Sequence, residues 1–120
     1  MMGNAMIEVR KCPHGLGAFV TQRYAPGDVI AVISGGKLTS KPVDWTHSLE
    51  MLRGVWWEAF SEEHEAYWSN FVDHSDSPNC DFVDFDEKIP SANVVALREI
   101  TCGEELLMDY DGFPVERRLK

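Results

Sequence analysis

The sequence predicts a mostly-β domain with short helices, and this prediction follows from its length and its patterning. The 120 residues are enough for one domain with one modest core. Short runs of β-branched and aromatic residues alternate with segments rich in glycine, proline and aspartate, as in short strands joined by turns. The sequence contains no repeats. We therefore expect a single domain over residues 1–120.

The first strands are predicted from alternation and from turn residues. Residues 6–11 alternate between apolar and polar side chains, as a half-buried strand does. A proline and two glycines within residues 12–17 break the pattern, which predicts a loop where another group approaches the backbone closely. Residues 18–23 return to strand-forming types, and turn residues at 25–28 lead into an apolar run at 29–33. We expect a β-hairpin between these last two strands.

Residues 34–68 are the least clearly patterned part of the chain. Glycine, serine and lysine at residues 34–42 predict a surface loop, and the following segment contains all four tryptophans. Ser61 is a predicted cap for a short helix whose first turn carries two glutamates and whose far end is at residues 67–68. The tryptophans at 56–57 suit either the core or the wall of a ligand channel, and the core is the commoner place for them.

The second half of the chain predicts three more strands. Residues 80–86 mix apolar and acidic side chains like a half-exposed strand, and residues 93–98 are its expected partner. A turn at 101–104 leads into a last strand at 105–110.

Charge and composition bound the partners. The formal net charge of −9 makes direct nucleic-acid binding unexpected, because that binding depends on lysine and arginine at phosphates. A negative field instead raises the local concentration of cationic ligands, which favours a basic protein or peptide as partner. No apolar run approaches the roughly 18 residues of a membrane span, so no membrane association is expected.

Localisation and redox state follow from the N-terminus and the cysteines. Residues 1–6 lack the basic and apolar regions of a signal peptide, which predicts an intracellular protein, cytoplasmic or, in a eukaryotic host, nuclear. Cys12, Cys80 and Cys102 are odd in number and have no C-x-x-C spacing. We expect reduced thiols and no metal site.

The stretch NFVDHSDSPNC at residues 70–80 has the composition of a functional turn. Its apolar lead-in, Phe71 and Val72, is followed by a carboxylate and an imidazole side by side, Asp73 and His74. Asx and Ser turns before a strand have a similar composition, so the stretch alone leaves a structural role open.

Three separated motifs are informative together: HGLGAF at residues 14–19, FVDHSDSPNC at 71–80 and GEELLMDY at 103–110. In this order and spacing they resemble the SET domain family of protein-lysine methyltransferases, in its minimal form without zinc-binding flanking modules. The resemblance covers nearly the whole chain apart from a variable insert at about residues 34–68. The resemblance implies a β-clip of small twisted sheets, in which the C-terminal segment forms a pseudoknot. That topology brings residues 73–74 against residues 109–110.

The resemblance also implies an activity and a set of site residues. The chain is then a protein-lysine N-methyltransferase that takes its methyl group from S-adenosylmethionine and acts on a basic, histone-like protein. Tyr110 is the implied catalytic residue, whose hydroxyl positions the reacting amine, and Met108 lies beside it at the substrate. The implied cofactor-binding residues are His14, Gly15, Leu16, Gly17, Asp73, His74 and Phe113.

The chain departs from the family pattern at two positions. Asp73 replaces the usual asparagine, and a carboxylate accepts hydrogen bonds but cannot donate one as the amide does. Asp76 stands where many members have a zinc-binding cysteine, and no cysteine follows Cys102. We thus expect no zinc-bearing C-terminal lid, and expect either Phe113 with the residues after it or a second protomer of a homodimer to cover the site.

Other classes of function stay open from sequence. A degenerate SET-like binding module without transferase activity would share all three motifs. A calcium site is conceivable at the acidic residues 73–84, but an EF-hand requires glycine where Pro78 stands. A serine hydrolase would use Ser75, yet the G-x-S-x-G elbow is missing.

Overall fold

The computed structural model describes residues 7–42, 48–52 and 54–110. Within these ranges the chain forms ten short strands and one 3₁₀ helix, so the predicted mostly-β class is confirmed. The strands are β1 (Ile7–Cys12), β2 (Gly15–Val20), β3 (Val29–Ser34), β4 (Leu38–Thr39), β5 (Leu49–Leu52), β6 (Val55–Trp57), β7 (Asp73–His74), β8 (Cys80–Asp86), β9 (Ser91–Ala96) and β10 (Leu107–Met108); the 3₁₀ helix is Tyr67–Phe71.

The strands form four small sheets. β1 and β2 are an antiparallel pair, β9 lies between β3 and β8, and β6 lies between β4 and β5. The fourth sheet is the short parallel pair of β7 and β10. In the described residues no helix is long and apolar enough to cross a bilayer.

The hairpin predicted between residues 18–23 and 29–33 is wrong. β2 pairs with β1 instead, because β1 continues to Cys12 and Gly15, with a φ of +121°, lets the chain reverse tightly. β3 finds its partner far along the sequence in β9, with Ile33 opposite Ala92.

The helix predicted to start at Ser61 is also absent. The 3₁₀ helix begins six residues later and has no side-chain cap. Local hydrogen bonds turn the chain before it: the Ser61 carbonyl accepts from the His64 amide, and His64 Nδ1 accepts from the Ala66 amide. A side chain that satisfies the backbone in this way competes with helix formation.

The core is built on β8 and β9; β8 has the predicted bounds, residues 80–86, and β9 is confirmed but lies two residues earlier than the predicted 93–98. Cys80 and Phe82 alternate inward on β8, and Asp84, at a φ of 54°, then shifts the register so that Phe85 also faces the core. Trp57 is buried against Phe85, and its indole N–H donates to a backbone carbonyl. The core position considered for the tryptophan pair therefore holds for Trp57.

The last predicted strand, residues 105–110, is shorter than expected: β10 covers only Leu107 and Met108. It pairs in parallel with β7, with Leu107 opposite Asp73 and Met108 opposite His74. The segment is fixed by a completely buried asparagine, Asn79, at 0% exposure. Asn79 Nδ2 donates to the Glu105 carbonyl at 2.7 Å, and Oδ1 accepts from the Leu107 amide at 2.8 Å.

Candidate functional site

The β7–β10 pair brings the second and third sequence motifs together. The Tyr110 hydroxyl donates to the Val72 carbonyl at 2.6 Å, and the Tyr110 amide donates to His74 Nδ1 at 3.1 Å. The centroids of the His74 imidazole and the Tyr110 phenol ring lie 5.3 Å apart. Val72 and Phe71 are buried, as their apolar character predicted, and they anchor this end of the site in the core. The expected contact of residues 73–74 with residues 109–110 is therefore present.

The first motif joins the same site through His14. Its Nε2 atom lies 2.9 Å from Asp73 Oδ2 and 2.9 Å from Glu105 Oε2. The thiol of Cys12 is 3.2 Å from the same nitrogen. The tight β1–β2 turn thus places an imidazole between two carboxylates that come from distant parts of the sequence.

These contacts shift the protonation of the cluster. The hydrogen bond to Glu105, followed by the one to Asp73, raises the pKa of His14. Burial raises the pKa of Glu105, and the adjacent Asp73 carboxyl adds to the rise, whereas His14 opposes it. The cluster therefore favours a protonated imidazole held between carboxyl groups.

The two glycines of the first motif have different surroundings. Gly15 lies exposed at the turn with open space around it, and the neighbouring Leu16 is also exposed. Gly17 is covered: a Cβ at this position would lie 2.5 Å from Glu105 Oε2 and 3.1 Å from the Phe19 ring. Gly17 is therefore the glycine whose missing side chain makes room for the carboxylate.

Two predicted site residues remain, Met108 and Phe113, and Asp76, where the chain departs from the family pattern, is described with them. Met108 is only 1% exposed and packs in the core behind the site. Asp76 is exposed, with Oδ1 3.3 Å from His74 Nε2. Phe113 lies outside the described residues.

Two members of the cluster were not predicted, Cys12 and Glu105. Glu105 belongs to the third motif, but it is 91 residues from His14, and nothing in the spacing indicates their contact. Cys12 is two residues before His14, so its nearness follows only once the turn geometry is known.

The Tyr110 hydroxyl is set to stay protonated. Partial burial of the phenol raises the pKa of Tyr110 to about 12, and the negative charge of Asp73 adds to the rise. Since unfolded tyrosine titrates near pH 10, the ionised form is disfavoured in the fold. The contribution of Tyr110 to the free energy of unfolding is therefore constant below about pH 10 and falls between about pH 10 and 12.

We expect a rapid alkaline pH jump, read by tyrosinate absorbance before unfolding, to show this shift. Subtracting the curve of the Tyr110→Phe variant from that of the wild type isolates one phenol, which is expected to titrate near 12. A difference curve centred near the ordinary value of about 10 would contradict the hydrogen-bonded, partly buried hydroxyl.

The fold and the site together define a class of protein: a small β domain whose C-terminal segment docks beside an internal loop and sets a tyrosine next to histidine and carboxylate groups. The SET domain family model matches residues 15–111, so the chain belongs to the SET domain family. Members of this family are generally protein-lysine methyltransferases and typically use S-adenosylmethionine. None of the curated proteins compared with the chain is similar enough to count as a match.

Proposed function

We propose that this chain transfers a methyl group from S-adenosylmethionine to the side-chain amine of a lysine in a basic protein. The observation that carries the proposal is the fixed Tyr110 hydroxyl, held on the Val72 carbonyl beside Asp73 and His74. The family to which the chain belongs supports the same reaction.

The residues at the site suit the cofactor chemically. S-adenosylmethionine supplies an activated methyl group on a positively charged sulfur and also carries an ammonium group. Asp73 and Glu105 offer carboxylate oxygens to such a cation, so aspartate in place of asparagine is compatible with binding. The exposed backbone of Gly15 and Leu16 leaves room for close approach. With His14, Gly17 and His74, these residues are the ones that would hold the cofactor.

In this proposal Tyr110 orients the side-chain amine of the substrate lysine. Because its O–H is used on the Val72 carbonyl, the phenol oxygen presents acceptor lone pairs to a substrate N–H. An amine that donates to this oxygen has its own lone pair directed elsewhere, which is the orientation a methyl acceptor needs. The raised pKa of Tyr110 keeps the hydroxyl neutral throughout the physiological range.

The substrate lysine must lose its proton before it attacks. With an unperturbed pKa near 10.4, only about a thousandth of a lysine is neutral at pH 7.4. Desolvation of the amine at the partly buried Val72–Tyr110 contact favours the neutral form. The overall charge of −9 favours the approach of basic segments, which supports a lysine-rich substrate.

The direct test combines transfer with binding. Tritiated S-adenosylmethionine is incubated with the protein and a panel of basic proteins and peptides, and calorimetry with S-adenosylhomocysteine measures binding independently. Saturable binding with label transferred to lysine is expected. Binding without transfer to any substrate would favour the binding-module alternative, and no binding at millimolar ligand would overturn the proposal.

Gly17→Ala is expected to weaken S-adenosylhomocysteine binding by about tenfold, or about 1.4 kcal/mol. The added methyl displaces the Glu105 carboxylate from His14, because its Cβ would lie 2.5 Å from Oε2. Calorimetry on Gly17→Ala, Glu105→Gln and the double variant measures the coupling. Since both changes act on one carboxylate, their effects are expected to be less than additive. Full additivity, or unchanged binding in Gly17→Ala, would contradict displacement of the Glu105 carboxylate as the cause.

A further inference from the structure

Four potential metal ligands converge at the turn between β1 and β2. They are a thiol, an imidazole and two carboxylates: Cys12 Sγ, His14 Nε2, Asp73 Oδ2 and Glu105 Oε2. The ligand atoms of Cys12, His14 and Glu105 all lie within 4.8 Å of one another. The fourth, from Asp73, is 2.9 Å from the same imidazole nitrogen.

His14 Nε2 has more close polar neighbours than one ring nitrogen can hydrogen-bond. A ring nitrogen carries at most one hydrogen, yet Nε2 has two carboxylate oxygens at 2.9 Å and a sulfur at 3.2 Å. One N–H cannot point at three separate atoms with good geometry. A cation among these atoms would instead satisfy Cys12, His14 and Glu105, whose ligand atoms are mutually close, with Asp73 Oδ2 beside the imidazole.

We propose that Cys12, His14 and Glu105 bind a zinc ion, that Asp73 reaches it as the fourth ligand, and that a bound zinc ion excludes the methyl-donor cofactor. Thiolate, imidazole and carboxylate are the ligand types that zinc takes in a four-coordinate site. Ligand atoms on tetrahedral zinc stand about 3.3 to 3.7 Å apart, given bonds of about 2.0 to 2.3 Å. The three separations from His14 Nε2 are 2.9 to 3.2 Å, so each of these three opens by roughly half an ångström to admit the ion.

The structure holds these ligands on anchored parts of the chain. Cys12 ends β1, and its partner across the hairpin is Gly15. Asp73 lies in β7, opposite Leu107. Glu105 is fixed through its own carbonyl, which accepts from the buried Asn79. Since the ligands come from three separate segments, the spacing of cysteines in the sequence gives no indication of the site.

Exclusion follows from shared residues. His14 and Asp73 are among the residues proposed to hold S-adenosylmethionine, and their polar atoms cannot serve a metal ion and the cofactor at once. This half of the proposal rests on the proposed function, whereas zinc binding itself does not. Zinc would thus act as a reversible inhibitor of the free enzyme.

Metal binding is tested on the untagged, chelator-treated full chain. Zinc chloride is titrated against a chromophoric chelator, and cobalt chloride reports thiolate ligation through its near-ultraviolet charge-transfer band. We expect one zinc per chain and a thiolate band with cobalt. In Cys12→Ser and in Glu105→Gln we expect a loss of affinity of roughly a hundredfold or more, since losing even an outer-shell partner of a metal ligand costs about 10- to 100-fold. Cys102→Ser, which removes an exposed thiol outside the cluster, is expected to bind zinc like the wild type. Absence of zinc binding, or equal binding by Cys12→Ser and wild type, would overturn the site.

The second arm measures S-adenosylhomocysteine binding by calorimetry with and without one equivalent of zinc. Zinc is expected to reduce the apparent cofactor affinity in the wild type, and to have no such effect in Cys12→Ser. Independent binding of both ligands would overturn the exclusion. If the cofactor fails to bind even without zinc, the proposed function fails, while the cobalt and zinc titrations still decide the metal site.

Discussion

Replacing Tyr110 with phenylalanine is expected to reduce the turnover of methyl transfer by roughly a hundredfold or more, with the fold intact. The ring keeps its packing against His74, but the oxygen proposed to receive the substrate amine is lost. The Val72 carbonyl also loses its 2.6 Å hydrogen bond. This costs only about 1 kcal/mol of stability, because the residue is 41% exposed and water can reach the region.

Turnover on the best substrate, thermal unfolding and S-adenosylhomocysteine binding are measured together. Tyr24→Phe is the matched control. It removes the hydroxyl of a buried tyrosine whose backbone forms a β-bridge with Ile100. The control is expected to keep wild-type turnover. Full turnover in Tyr110→Phe would show that the phenol oxygen has no part in the reaction.

Asn79→Ala is expected to lower the free energy of unfolding by about 3 kcal/mol. The side chain is fully buried, and its loss leaves the Glu105 carbonyl and the Leu107 amide without partners. The bond from Nδ2 to Glu104 Oε2, at 3.2 Å, is lost as well. Because a domain is stable by only about 5 to 15 kcal/mol, this is a large share of the total.

Urea denaturation of wild type and variant measures the change. Asn93→Ala is the matched control, since Asn93 also donates from Nδ2 to a carboxylate, Asp84 at 2.9 Å, but near the surface. Its cost is expected to stay below about 1 kcal/mol. A similar cost for both substitutions would mean that burial at Asn79 contributes little.

The parts of the fold that could be predicted from sequence are those decided by local pattern. β1, β8 and β9 were predicted because alternating side chains identify a half-buried strand without knowledge of its partner. Strand pairing was predicted wrongly for β2 and β3, because nothing local distinguishes the neighbour at β1 from the distant β9. The helix at Ser61 failed for a related reason, since the contacts of His64 decide that segment.

The candidate site divides in the same way. The motifs around His14, Asp73 and Tyr110 were predicted to meet only because their joint order resembles a known family. Cys12 and Glu105 were missed because their role depends on the distance between side chains across the folded hairpin. Residue types are visible in sequence, but convergence on one nitrogen atom is not.

The short parallel pair of β7 and β10 has a consequence for the order in which the protein folds. His74 and Tyr110 are 36 residues apart. Closing that loop costs conformational entropy before the contact between them can stabilise the fold. Local hairpins such as β1–β2 close much shorter loops and can form earlier. We therefore expect the C-terminal segment to dock late in folding. The glycine turn between β1 and β2 can form before Tyr110 is docked, so the candidate site is complete only after this docking step.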